Sequence, residues 1–291
     1  MGERLVDSDF LKRLERLSLN IEKLMNAGGG GFRKSKARGS SVEFSDFREY
    51  TLGDDLRKID WNAYGRLDRL FVKLFMEERE AIINIFIDGS KSIDFGMPQK
   101  SILALQLAAA FSYLSLINMD RLCLNILEDK NLKESEVFGG RGQFDRCITF
   151  LEAVDFKGFT NLDEAIKKKK FIGRGMSVII SDFFTEGNLE DVLKYLIYNK
   201  QEIIFVNILS PEENNPQLGG SVRLKDVETE EGIDVELNSS TLDKYDKALK
   251  AFVGNIQGMC KKYGALYVNV ISDYSMEKVL FEELIGKRIV K

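Results

Sequence analysis

Short runs of almost unbroken apolar character punctuate this chain: Ala81 to Ile87, Met176 to Ser181, Glu202 to Leu209 and Leu266 to Ile271. A strand without polar alternation is buried on both faces, as in a parallel sheet. Leu70 to Met76 and Asp120 to Glu128 also read as strands. Between them lie helical patterns over Gln99 to Asn118, Phe144 to Ala153, Asn161 to Phe171, Leu189 to Asn199, Leu242 to Tyr263 and Met276 to Ile285. Strands alternating with helices build βαβ units. The expected fold class is α/β: a doubly wound, mostly parallel central sheet, Rossmann-like, with helices on both faces.

The flanking segments follow other patterns. Leu11, Leu14, Leu17 and Leu24 predict a helix from Ser8 to Asn26, capped by Asp7 or Ser8. Gly28 to Gly31 break it, and the basic, small-residue stretch Arg33 to Ser41 extends the break, so Gly28 to Ser41 reads as a mobile loop. Val42 to Arg69 is irregular and highly charged, and carries the sole tryptophan, Trp61. Alternating runs on either side of Glu230-Glu231-Gly232 predict a hairpin over Ser221 to Glu236. The expected organisation is an N-terminal helix, loop and irregular appendage over 1–76, then an α/β domain over 77–291 with a hairpin insertion near 221–237.

Composition narrows the chemistry. The 291 residues contain no histidine, which removes Ser-His-Asp and Cys-His catalysis and any histidine-ligated zinc. Cys123, Cys147 and Cys260 are scattered and odd in number, and read as reduced, buried thiols. No segment reads as a secretory leader or membrane span, so the expected localisation is cytoplasmic. A net charge of −4 argues against general nucleic-acid affinity. The glycine run Gly28 to Gly31 lacks the Gly-Lys-Ser/Thr that completes a phosphate-binding loop.

Candidate chemistry sits where two buried strands end. Asp88-Gly89-Ser90-Lys91-Ser92 follows the first run, and Asp182 follows Met176 to Ser181. In open parallel sheets, ligands bind beyond the carboxyl ends of strands where the strand order reverses. Thr160, in Gly158-Phe159-Thr160-Asn161, adds a third element. Carboxylates and hydroxyls are hard oxygen donors suited to a magnesium-like cation. Each also has an ordinary reading: Thr160 as a helix cap, Ser90 and Ser92 as turn residues, the aspartates as strand ends. The combination is what points to one site.

Asp88, Ser90, Ser92, Thr160 and Asp182, in this order and spacing, resemble the metal-ion-dependent adhesion site of von Willebrand factor type A domains. The resemblance implies that Ser90, Ser92 and Thr160 ligate Mg²⁺ or Mn²⁺, with Asp88 and Asp182 acting directly or through water. It also implies that a partner's carboxylate fills a remaining position, with the metal either bound constitutively or arriving with the partner. Gly39, Glu43-Phe44, Arg48, Tyr50, Gly53-Asp54-Asp55, Arg57, Ile59-Asp60-Trp61, Arg66 and Val72-Lys73 resemble the signature of the bacterial and archaeal family called domain of unknown function fifty-eight. Ile93 departs from that family's usual methionine by an apolar swap of similar volume. Membership implies a non-enzymatic interaction module, an adaptor or co-chaperone whose partner is a MoxR-type AAA+ ATPase or that ATPase's client.

Two rival readings come from other classes. A magnesium-dependent phosphohydrolase would use Asp88 as nucleophile, but needs an acid/base where Ser90 stands. A nucleic-acid-binding protein would use the basic loop, which has no interleaved aromatics beyond Phe32. Within the signature, Arg48, Arg57 and Arg66 are expected to pair with Glu43, Asp54, Asp55 and Asp60 in one polar network, with Trp61 as core. Lys167 to Lys170 reads as a solvated helix end.

Overall fold

The computed structural model describes residues 5–15, 43–76, 82–185, 187–216, 220–225, 232–287 and 289–290. Its elements in chain order are α1 (Ser8–Leu14), β1 (Glu43–Glu49), α2 (Trp61–Leu67), β2 (Phe71–Met76), β3 (Ile82–Asp88), α3 (Lys100–Ile117), β4 (Arg121–Glu128), β5 (Asn131–Glu134), β6 (Phe138–Gly139), α4 (Phe144–Glu152), α5 (Leu162–Lys167), β7 (Gly175–Ser181), α6 (Leu189–Tyr198), β8 (Gln201–Leu209), α7 (Pro211–Asn214), β9 (Gly220–Lys225), β10 (Gly232–Leu237), α8 (Ser239–Lys262) and β11 (Leu266–Ile271). A π-helical segment, Lys278–Leu284, follows where an α-helix is expected.

The apolar runs form the centre of a seven-stranded sheet in the order β11-β8-β7-β3-β4-β5, with β6 also on β4. All pairings from β11 to β4 are parallel, while β5 and β6 run antiparallel to β4. The α/β expectation holds: the central sheet is mostly parallel and its strands alternate with helices along the chain. From β3 the chain steps outward to β4 and β5, then returns to β7 on the other side of β3. The order therefore reverses between β3 and β7, which pair from Ile82↔Gly175 to Ile87↔Ile180. Asp88 and Asp182 leave the same end of these neighbouring strands.

Burial follows the pattern read from the sequence. Ile83, Ile85, Phe86 and Ile87 of β3 and Met176, Val178, Ile179 and Ile180 of β7 have no exposed surface. α3 packs against the sheet with Leu103, Leu107, Phe111 and Leu114 buried. It is the one helix among the described residues long and apolar enough to span a membrane, although 78% of that window is buried within the fold.

The compact units divide differently from the expected 1–76 and 77–291. Residues 43–76 fall in one unit, and α1 groups with the residues from 82 onward. α1 is capped by Asp7, whose carboxylate accepts from Phe10 N at 2.6 Å. It buries Phe10 and Leu14 and packs on α3, where Glu15 accepts from Tyr113 Oη and pairs with Arg141. The rest of the expected Ser8 to Asn26 helix, the Gly28 to Ser41 loop and the hairpin turn at Glu230-Glu231 lie outside the described residues. The hairpin arms β9 and β10 pair antiparallel, from Lys225↔Gly232 to Gly220↔Leu237.

The segment expected to be irregular over Val42 to Arg69 carries regular elements where it is described, over 43–69. β1 pairs antiparallel with β2, and between them run a 3₁₀ turn, Leu56–Lys58, and α2. Asp60 caps α2 by accepting from Asn62 N and Ala63 N. Arg48 pairs with Asp54 at 2.8 Å, Arg57 with Asp55 at 3.5 Å and Arg69 with Glu49 at 3.1 Å. Each of these pairs is local to its turn or strand pair. Trp61 is not core: it is 63% exposed and stands edge-on to Tyr64. Lys169 corrects the reading of its run as solvated. It is buried, and its ammonium meets Glu134 at 2.7 Å and donates to Cys123 Sγ at 3.1 Å.

Candidate functional site

Asp88 is the last residue of β3, and both of its oxygens are engaged. Oδ1 accepts from Ser90 N at 3.0 Å and Oδ2 from Ser181 Oγ at 2.6 Å. Gly89 makes this turn possible. Its N–H donates to Leu127 O at 2.9 Å, and a Cβ there would lie 2.8 Å from that same oxygen. Ser90 precedes a 3₁₀ turn, Lys91–Asp94, without using its side chain as a cap. Its Oγ lies 2.9 Å from Ser92 Oγ instead.

Backbone bonds bring the Thr160 loop alongside. Lys91 N donates to Gly158 O and Lys157 N to Gly89 O, both at 2.9 Å. Asn161, not Thr160, caps α5, accepting from Glu164 N. The Thr160 hydroxyl donates to Leu127 O at 3.2 Å, the carbonyl that also receives Gly89 N. With its proton committed there, its lone pairs stay available as acceptors. Asp88, Ser90 and Thr160 are all buried, and Ser92 is half-buried.

Asp182 follows β7 with no exposed surface. Phe183 adopts a left-handed backbone, φ 57°, which costs an L-residue of this size energy and curls the chain back. That curl brings Phe184 N within 3.1 Å of Asp182 Oδ1. Asp182 Oδ2 accepts from Lys100 Nζ at 2.8 Å, and the same ammonium donates to Glu213 Oε1 at 2.7 Å. Lys100 is completely buried.

Reading the sequence did not single out Ser181, Lys100 or Glu213. A signal for Lys100 was present: a cation in the first turn of an apolar helix opposes the helix dipole, so it implies a dedicated anionic partner. A signal for Glu213 was the capping-box spacing Ser210-Pro211-Glu212-Glu213. Ser210 Oγ accepts from Glu213 N, while Glu213 Oε2 accepts from Ser210 N.

The electrostatics separate the two aspartates. Burial, then the nearby charge of Asp182, raise the proton affinity of Asp88, opposed by its bonds from Ser181 and Ser90. Burial works against the charge of Lys100, but Asp182 and Glu213 outweigh it and hold the ammonium more firmly protonated than usual. Burial raises Glu213 despite Lys100. Among the described residues, the site therefore contains one carboxylate paired with an internal lysine, Asp182, and one held by hydrogen bonds from Ser90 and Ser181, Asp88. Among the described residues, no three His, Cys, Asp or Glu side chains are grouped to hold a metal. Any cation here would depend on hydroxyl oxygens. Burial pushes the thiols of Cys147 and Cys260 up to about 12, which makes them poor nucleophiles.

The model of the family described as "Protein of unknown function DUF58" matches residues 46–252. The chain belongs to the DUF58 family. Among similar proteins, the uncharacterized protein Rv1480 of Mycobacterium tuberculosis is 25% identical over 274 residues, 92% of this chain and 86% of that protein. Uncharacterized protein Mb1516 of Mycobacterium bovis matches to the same extent. Among solved structures, BatB from Bacteroides thetaiotaomicron superposes with a TM-score of 0.45 at 16% identity, covering 72% of this chain and 98% of that one. The SpRpn10 VWA domain superposes with a TM-score of 0.40 at 12% identity, covering 70% and 94%. The DUF58 match spans β1 to most of α8, and so includes all five candidate site residues.

Proposed function

We propose that this DUF58 protein is a metal-dependent protein-interaction module. Ser90, Ser92 and Thr160 would hold Mg²⁺ or Mn²⁺ through their hydroxyl oxygens. Asp88 and Asp182 would balance its charge, directly or through bound water. The observation that carries the reading is the pair of hydroxyls Ser90 Oγ and Ser92 Oγ, hydrogen-bonded to each other at 2.9 Å beside a buried carboxylate. Adjacent ligands of an octahedral magnesium, with bonds of about 2.0–2.1 Å, stand about 2.9 Å apart.

The site suits binding more than turnover. A phosphohydrolase would need Asp88 as an accessible nucleophile and an acid two residues on. Asp88 is 3% exposed with both oxygens engaged, and the second position is Ser90. Exposed Phe95, Met97, Phe159 and Phe184 flank the ligand-bearing segments in sequence, as apolar contact surface for a protein partner. A MoxR-type AAA+ ATPase or its client is the partner we propose, with this protein as adaptor or co-chaperone inside the cell.

The test is partner binding by Asp88→Ala protein shown by circular dichroism to be folded, with and without chelator. A metal-bridged contact loses affinity on chelation in the wild type and is already weak in the variant. Full affinity in the variant would overturn the metal-bridged contact.

A further inference from the structure

Lys100, Asp182 and Glu213 form a largely buried charge cluster, of which only Asp182 is among the five candidate ligands. Lys100 comes from the first turn of α3, Asp182 from the loop after β7 and Glu213 from α7. The ammonium lies 2.8 Å from Asp182 and 2.7 Å from Glu213, and the rings of Phe95 and Phe184 each lie 5.9 Å from it. Glu213 is itself fixed: Oε2 accepts from Ser210 N at 2.7 Å, and its carbonyl accepts from Tyr245 Oη at 2.7 Å. A lysine this enclosed, in a helix turn where the dipole disfavours it, is held by those two carboxylates.

We propose that Lys100 is a positioning residue that sets the cation affinity of the site by competing for Asp182. This rests on the metal-binding reading above. Asp182 Oδ1 is held by Phe184 N and Oδ2 by Lys100, so Lys100 fixes the orientation of the carboxylate and offsets its charge. The ammonium satisfies Asp182 whether or not a divalent cation is present. The loop therefore keeps its shape empty, and the incoming cation meets one uncompensated carboxylate, Asp88, rather than two. The result is a preformed site of restrained affinity, in which a partner's carboxylate has a large share of the remaining attraction to supply. Glu213 tempers the competition by sharing the ammonium.

The account makes opposite predictions for two substitutions. Lys100→Met removes the competitor, and Mg²⁺ affinity measured by titration calorimetry should rise tenfold or more, the scale on which residues behind the ligands act. Glu213→Gln leaves the ammonium to Asp182 alone, and affinity should fall severalfold. Lys157→Met removes an exposed lysine of the Thr160 loop, paired with Asp155 at 3.1 Å, and should change affinity less than twofold because solvent screens it. If Lys100→Met does not fold, the fall in Glu213→Gln with an unchanged Lys157→Met still carries the test. Wild-type binding with unchanged affinity in Lys100→Met, or in Glu213→Gln where Lys100→Met does not fold, overturns the role of Lys100 and leaves the metal site standing. Binding by Lys100→Met alone, with none by the wild type, supports the competition and overturns the wild-type metal site. Absence of binding in every protein overturns both.

Discussion

At the scale of single residues, Asp88 and Asp182 look alike in sequence and differ in physics. Each stands at the end of a buried strand, yet Asp182 pairs with Lys100 while Asp88 accepts from Ser90 and Ser181 and feels the charge of Asp182. Because folding raises the pKa of Asp88, the folded protein holds that proton more tightly than the unfolded chain does. Stability without metal therefore falls as pH rises from the ordinary carboxylate value of 3.8 through the raised one. Asp88→Asn removes this penalty. Urea denaturation in chelator should find the variant at least as stable as the wild type near neutral pH, with the advantage vanishing in acid. A variant less stable at every pH would show that the charge of Asp88 supports the fold. Lys100→Met should do the reverse in chelator, costing roughly 3–5 kcal/mol by leaving buried carboxylates without their cation. A change within about 0.5 kcal/mol would mean that the cluster is solvated.

At the scale of elements, the buried strands were legible because burial on both faces imposes unbroken apolar runs. Their ends then located Asp88 and Asp182. The edge strand β5 was not legible. Asn131–Glu134 is polar and largely exposed, and pairs with β4 through backbone bonds that leave no side-chain pattern. β1 and α2 were obscured by dense charge in Glu43 to Arg69, where Asp54, Asp55 and Asp60 serve as local caps and turn partners. Thr160 was ambiguous because a threonine before Asn161 fits a cap, and only the placement of the asparagine in that role frees it. The turn at Gly89 allows a sharp test. Gly89→Ala places a Cβ 2.8 Å from Leu127 O and 3.2 Å from Ile126 Cγ2, so the Asp88–Ser92 loop must shift away from β4. The expected outcome is an intact circular dichroism spectrum, a loss of about 1–3 kcal/mol in urea, and Mg²⁺ binding weakened tenfold or more. Unchanged Mg²⁺ affinity would show that this loop does not carry the ligands.

At the scale of the molecule, the reversal of strand order between β3 and β7 gathers residues scattered over nearly a hundred positions into one site. The sequence carried the order of those residues but not the internal lysine, because nothing local shows that a side chain at the start of α3 reaches carboxylates from two other loops. Whether the site holds a cation through its hydroxyls is the claim on which the function rests. Titration calorimetry of Mg²⁺ into the wild type and into a Ser90→Ala/Ser92→Ala double variant tests it most directly. The account predicts saturable binding to the wild type that disappears in a double variant of unchanged circular dichroism. Equal binding by the two proteins, or none by the wild type with or without its partner, would contradict it.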